Sequence, residues 1–225
     1  MTPTLEVVPN EKEAAQRGAD LIAAAGRRAV EERGSFALAM SGGKSPWAML
    51  AILSDREEMP WAETSLFQVD ERVASPGSED RNLTHMVLGL SMQNQSALRP
   101  MPVTQRDLEA AAREYEESLP ERLDLVHLGL GPDGHTASLV PGDPVLEVGD
   151  RRVAPTETAY QDHYRMTLTY PAIDAAREVL WLVTGPTKRE ALAKLLAGDR
   201  SIPAGRVEND SMTVIADEAA AGTAG

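Results

Sequence analysis

His135 is the residue of this chain best suited to moving a proton. It lies in the stretch 123–142, LDLVHLGLGPDGHTASLVPG, with Asp133 two residues before it and Thr136 and Ser138 after it. A carboxylate beside an imidazole can orient the ring, and a neutral imidazole that titrates near neutrality suits general-base work. Gly129, Gly131 and Gly134 let the backbone turn sharply and approach a ligand closely. Ahead of them, Leu125, Val126, Leu128 and Leu130 make an apolar run of strand length. A polar loop at the C-terminal end of such a strand is where open α/β sheets bind ligands. Gly129-x-Gly131-x-x-Gly134 also matches the dinucleotide fingerprint, but a lone match is weak. That fingerprint leads directly into a long helix, whereas Pro132 sits inside this loop and Pro141 and Pro144 follow it. A nucleotide cofactor is therefore not expected.

Three further stretches hold candidate site residues, and the charged ones could equally be solvated. Ser41-Gly42-Gly43-Lys44-Ser45-Pro46 separates the strand candidate 35–40 from a helix over 47–53, with Pro46 at its first position. Strand, Gly-Gly turn and helix start together form a ready anion site, although a plain tight turn would read the same way. The run imitates the end of a P-loop, but the P-loop's first glycine would fall on Leu38, so the ATPase reading fails. Asp70-Glu71-Arg72 closes a third strand over 65–69, and the polar segment 73–82 suits a loop crossing a cleft mouth. Finally, Arg165 opens a strand-like 165–169, and the buried strand 178–184 runs into Gly185-Pro186-Thr187-Lys188 and a helix ending at Gly198. A cation disfavours a helix start; an anion nearby would resolve Lys188, and a solvated lysine is the bland alternative.

The elements that must position these residues alternate along the chain. Asn10 caps a helix that Gly34 ends, after a short strand over 5–8. Residues 101–103 look strand-like, 109–119 form an amphipathic helix, 145–160 are irregular and acidic, and 171–177 make a short helix. A last strand covers 213–215, and 219–225 read as a frayed tail. This alternation predicts an α/β fold, a Rossmann-like open, mainly parallel sheet with helices on both faces. With no repeats or linkers, residues 1–225 are expected to form one domain, large enough for a substantial core.

Composition excludes several classes of function. A net charge of −13 makes a poor general nucleic-acid binder and obliges any anionic substrate to meet a local positive patch. The chain has no cysteine, so disulfides, thiolate nucleophiles and Cys-based zinc sites are ruled out. His85, His127, His135 and His163 lack close metal-ligand spacing, and no metal or other cofactor is expected. No apolar run approaches the ~18 residues of a membrane span. The N-terminal segment lacks a basic region followed by an apolar core. A cytoplasmic protein, monomeric or weakly homo-oligomeric, is expected.

The run Gly129–Gly142 resembles the signature of the 6-phosphogluconolactonases, which share their fold with the glucosamine-6-phosphate deaminases. Asp70-Glu71-Arg72, followed by Pro76 and Asn82, is similar to that family's second signature, with Arg81 where serine is usual. Ser41-Gly42-Gly43 matches too, but Lys44 departs from the small hydroxyl residue expected there. The resemblance runs from about Ser35 to Val207. It implies hydrolysis of 6-phospho-D-glucono-1,5-lactone, a small sugar phosphate, in the oxidative pentose phosphate pathway. His135 would be the general base and Asp133 its orienter. Arg72 would stabilise charge on the oxyanion or the phosphate, and Asp70 would hold sugar hydroxyls or Arg72. Ser41, Gly42, Gly43, Lys44, Arg165 and Lys188 would serve the phosphate.

The deaminases resemble a different pattern, Asp-Gly-His-Ile followed by Phe-Asn-Glu-Pro. Their glutamate five residues after the histidine corresponds to Val140, and the aromatic residue that usually follows their Asp-Glu pair corresponds to Arg72. Both positions favour the lactonase. A non-catalytic sugar-phosphate-binding domain would lack His135 and would normally carry a DNA-binding module. The chain has no spare ~60 residues for such a module and the wrong net charge for one.

Overall fold

The computed structural model describes residues 3–223. In chain order the elements are β1 (Thr4–Val8), α1 (Glu11–Arg33), β2 (Phe36–Met40), α2 (Lys44–Ser54), β3 (Thr64–Gln68), β4 (Asp70–Arg72) and α3 (Asn82–Gly89). Then come β5 (Leu98–Arg99), α4 (Leu108–Ser118), β6 (Leu125–Gly129), β7 (Val153–Pro155), β8 (Arg165–Leu168) and α5 (Tyr170–Asp174). The chain closes with β9 (Glu178–Val183), α6 (Arg189–Leu196), β10 (Met212–Asp217) and α7 (Glu218–Ala221). Seven strands form one sheet in the order β1-β10-β9-β6-β2-β3-β5, and every pairing within it is parallel. A second, three-stranded antiparallel sheet, β4-β8-β7, stands beside it. No helix among the described residues is long and apolar enough to cross a membrane.

Period-two alternation sorts the strand side chains into two cores. Leu38, Met40, Leu180, Leu182 and Ile215 point to the side covered by α1, α2 and α3. Ala39, Val179, Trp181, Val183 and Val214 point to the side covered by α4, α5 and α6. Each fully buried leucine or isoleucine stabilises this sandwich by roughly 1.5–3 kcal/mol, so both faces are firmly held. Helix α1 starts where expected: the Asn10 side chain accepts from the Glu13 N–H, and the Gly34 N–H returns to the Val30 carbonyl. All the C-terminal strand ends of the large sheet open toward the same edge.

Several boundaries differ from the sequence expectation. Asp70-Glu71-Arg72 is not the tail of β3 but a strand of the second sheet. Residues 101–103 pair with no strand; Pro100 and Pro102 lack the N–H that a ladder needs, and the short β5 lies just before them. Part of the segment 145–160 is strand β7. Helix α2 begins at Lys44, three residues before Trp47, which places Pro46 inside its first turn. The expected frayed tail is one turn of helix up to Ala221, with the Asp217 side chain capping the Ala220 N–H. Ala224 and Gly225 lie outside the described residues.

Candidate active site

One cavity of about 180 Å³ lies at the C-terminal edge of the large sheet. The turn after β2 brings Ser41 and Gly42, the loop after β6 brings Gly131 and His135, and the turn after β9 brings Lys188. The small sheet closes the other side with Asp70 and Arg72 of β4 and Arg165 of β8. Parallel strand ends thus meet antiparallel ones, and residues scattered through the chain share one space.

His135 is held by its own loop. The Asp133 Oδ1 oxygen lies 2.5 Å from His135 Nδ1 and also accepts the His135 backbone N–H at 3.1 Å. The loop is fixed by hydrogen bonds from Gly131 N to the His135 carbonyl (2.8 Å) and from Thr136 Oγ1 to the Gly129 carbonyl (2.9 Å). A Cβ at position 131 would stand 2.1 Å from His135 Nδ1 and 2.6 Å from Asp133 Oδ1, so only glycine leaves room for the pair. Burial pushes the Asp133 carboxyl up, but the charge of His135, hydrogen bonds from its backbone and ring, and the Tyr160 hydroxyl outweigh it. The carboxyl is held below its ordinary value. An ionised Asp133 accepting from Nδ1–H leaves the Nε2 lone pair as the basic position.

Alternation along β4 separates the roles of its three charged residues. Asp70 and Arg72 line the cavity, while Glu71 turns to the interior. Its carboxylate accepts the N–H groups of Asn82 (2.8 Å) and Leu83 (2.9 Å) at the start of α3, and the Gln68 amide at 2.9 Å. Arg81, the departure from the family's serine, lies 3.4 Å from Glu71 as a buried ion pair. Asn82 is placed in turn: its amide donates to the Asp70 carbonyl at 2.9 Å, and its carbonyl oxygen accepts from Arg72 at 2.9 Å. A Cβ on Gly42 would fall 1.8 Å from that oxygen. Asp70 itself accepts from Ser138 Oγ at 2.7 Å.

Three positive charges share the cavity with His135. Arg165 is buried, its guanidinium bonded to the Tyr160 carbonyl (Nη2, 3.0 Å) and 3.8 Å from Asp70. Burial lowers the Arg165 pKa from its ordinary value, Asp70 opposes that, and neighbouring Arg72 adds to it. Lys188 is half-buried at the foot of α6; burial lowers its pKa and Asp133 partly offsets the effect. Ser41 is spoken for by the sheet, donating to the His127 carbonyl at 3.1 Å.

Gly43 and Lys44 stand apart from these residues. They line an adjoining cavity, with Ser45, Thr184 and Gly185, that meets the first at Gly42, Gly129, Leu130 and Lys188. The Lys44 side chain is exposed. Residues not singled out from sequence also line the main cavity: Asn82, Ala137 and Gln161. Ala137 and Gln161 have positive φ, 52° and 50°, a costly conformation for non-glycine residues that the surrounding structure must hold in place. Asn82 was visible as part of a signature; Gln161 and its neighbour Tyr160 carried no local signal. Among the described residues, no group of three His, Asp or Glu side chains could hold a metal ion.

A model of the glucosamine-6-phosphate isomerases/6-phosphogluconolactonases matches residues 9–216. The chain belongs to this family. It is 34% identical over 210 residues to a 6-phosphogluconolactonase of Synechocystis, covering 88% of this chain and 86% of the relative. The crystal structure of a 6-phosphogluconolactonase from Shewanella baltica superposes with a TM-score of 0.86 at 24% identity, over 96% of this chain and 97% of the other. A monomeric glucosamine-6-phosphate deaminase superposes with a TM-score of 0.82 at 21% identity, over 98% and 100%. The family's fold therefore carries both activities, and the choice between them rests on side chains.

Proposed function

We propose that this protein hydrolyses 6-phospho-D-glucono-1,5-lactone to 6-phospho-D-gluconate in the oxidative pentose phosphate pathway. The observation that carries the reading is the 2.5 Å contact between Asp133 and His135 Nδ1 in a cavity that also holds Arg72, Arg165 and Lys188. His135 Nε2 takes a proton from water as the water oxygen bonds to C1 and the carbonyl electrons move onto oxygen. The tetrahedral centre collapses, the bond from C1 to the ring oxygen breaks, and His135 returns the proton to that oxygen. The lactone is an activated ester, so no covalent nucleophile and no metal is required. Arg72, Arg165 and Lys188 supply the positive field that a −13 protein needs to hold a phosphate dianion. Asp70, which lies beside Arg165 rather than Arg72, holds sugar hydroxyls, and Asn82 holds Arg72.

Val140 supports the lactonase over the deaminase: it is nearly buried, and its apolar side chain cannot join the proton transfer that a glutamate there would serve. The proposal includes a monomer or weak homo-oligomer in a cytoplasmic location. The test is purified protein with fresh lactone and, in parallel, glucosamine 6-phosphate. Rapid acid release from the first, without ammonia from the second, is expected after subtracting spontaneous opening. Replacing His135 with alanine should remove about two to four decades of the rate. Ammonia release would overturn the reading, as would a His135→Ala variant with unchanged turnover.

A further inference from the structure

Tyr160 touches both halves of the site, although it lies in a segment with no chemistry legible in the sequence. Its hydroxyl donates to Asp133 Oδ2 at 3.2 Å and lies 3.4 Å from His135 Nδ1. Its ring meets the imidazole edge-on, with centroids 5.2 Å apart and planes at 63°. The Arg165 guanidinium carbon sits 5.2 Å from the centre of the same ring. The Tyr160 backbone carbonyl accepts from Arg165 Nε at 3.3 Å and Nη2 at 3.0 Å.

A costly backbone holds the residue there. Tyr160 and His163 pair across a tight turn whose two central residues, Gln161 and Asp162, have φ of 50° and 66°. Two successive left-handed residues are the conformation of a type I′ turn, which normally calls for Asn-Gly or Asp-Gly. Asp143 ties down the approach to the turn by accepting from Thr158 N at 2.9 Å and from Thr158 Oγ1 at 2.5 Å.

We propose that Tyr160 is a positioning residue for the lactonase reaction, locking the Asp133–His135 pair and the Arg165 cation into one unit; this rests on the lactonase reading above. Asp133 grips the imidazole through one carboxylate oxygen, and Tyr160 occupies the other, so the carboxylate cannot rotate away. The ring edge then stops the imidazole from swinging out of line with the cavity. Burial, together with Asp133, keeps the phenol above its ordinary pKa, so the hydroxyl remains a donor throughout the working range.

The test is Tyr160→Phe, which keeps the ring, the carbonyl and the cation contact and removes the hydroxyl alone. Without that donor, the second carboxylate oxygen is free and Asp133 can rotate off the imidazole. The other charged groups around the cavity, Asp70, Arg72, Arg165 and Lys188, are unchanged in the variant. The expected result is a kcat about tenfold lower, roughly one hydrogen bond to a charged group, with KM changed less than about twofold. The NMR signals of the His135 ring should broaden or split as the imidazole samples more than one orientation. A purely structural role would lower the melting temperature and leave those signals in place. Unchanged His135 signals, or a loss confined to KM, overturn the proposal. The ring signals need no turnover: a wild type inactive on lactone whose His135 signals still change in Tyr160→Phe loses the lactonase reading and keeps the positioning.

Discussion

Arg72 and Arg165 stand directly opposite each other on the antiparallel β4–β8 ladder, and both side chains reach the cavity. Like charges in that relationship destabilise a sheet, and Asp70, 3.8 Å from Arg165, balances only one of them. A bound phosphate would relieve the remainder. 6-Phosphogluconate should therefore raise the melting temperature, in line with the ~2.7 kcal/mol expected at a hundredfold excess over Kd. Gluconate at the same concentration should do little, and Arg165→Gln should abolish most of the difference. Equal shifts from both ligands would take the phosphate away from the two arginines. For Arg72, a variant that loses kcat with KM intact would assign the oxyanion, and one that loses only KM the phosphate.

Lys188 supplies charge from the opposite wall. Lys188→Ala should raise KM for the phosphorylated lactone by roughly ten- to a hundredfold, the ~1.5–3 kcal/mol of a hydrogen bond to a charged group. Added salt should narrow the gap between variant and wild type. The slow hydrolysis of unphosphorylated gluconolactone should barely change. Equal damage to both substrates would show that Lys188 supports the chemistry or the fold instead.

Gly131 gives a steric test of the dyad. In Gly131→Ala the new methyl would meet His135 Nδ1 at 2.1 Å, so the imidazole must move. A misplacement of about 1 Å costs on the order of a hundredfold in rate. The expected outcome is that loss in kcat with a cooperative thermal transition retained; a fully active Gly131→Ala would mean the His135 geometry is not what sets the rate.

His127 carries an acid sensitivity that has nothing to do with catalysis. It is wholly buried in β6 between Met40 and Leu180, neither ring nitrogen has a partner among the described residues, and burial pushes its pKa from 6.5 down to about 3. The folded pKa lies below the unfolded one, so the unfolded chain binds the extra proton and stability falls as pH drops below 6.5. Between pH 6.5 and 5 the loss from this group is about 1.6 kcal/mol, the slope rising from half of ~1.36 kcal/mol per unit at pH 6.5 toward its full value. Urea titrations of wild type and His127→Leu at both pH values should differ by that amount. Parallel pH dependences would show that His127 does not titrate in the unfolding transition.

Much of this molecule was written locally. The apolar runs around Leu38, Val126 and Trp181 needed no partner to be recognised as buried strands, because a parallel strand is covered on both faces. Asn10 and Gly34 marked the ends of α1 through their own backbone chemistry. His135, Asp133, Gly42 and Lys188 could be singled out because each sits in or just after a glycine-containing turn that follows a strand, where open α/β sheets bind ligands. Motif order supplied the family expectation that the comparison supports.

What the sequence could not determine depends on which distant segments pair. Locally, Asp70-Glu71-Arg72 fits a site and solvated charge equally well; pairing with β8 sends Asp70 and Arg72 into the cavity and Glu71 to the start of α3. Tyr160 becomes part of the site only because an uncommon turn folds its ring back onto His135. Lys44, one residue beyond the Gly-Gly turn, goes to the neighbouring cavity because α2 starts there. Periodicity along a chain fixes which side chains share a face, but not which strand that face will meet. That choice is made by the joint packing of strands far apart in sequence, where local propensity is silent.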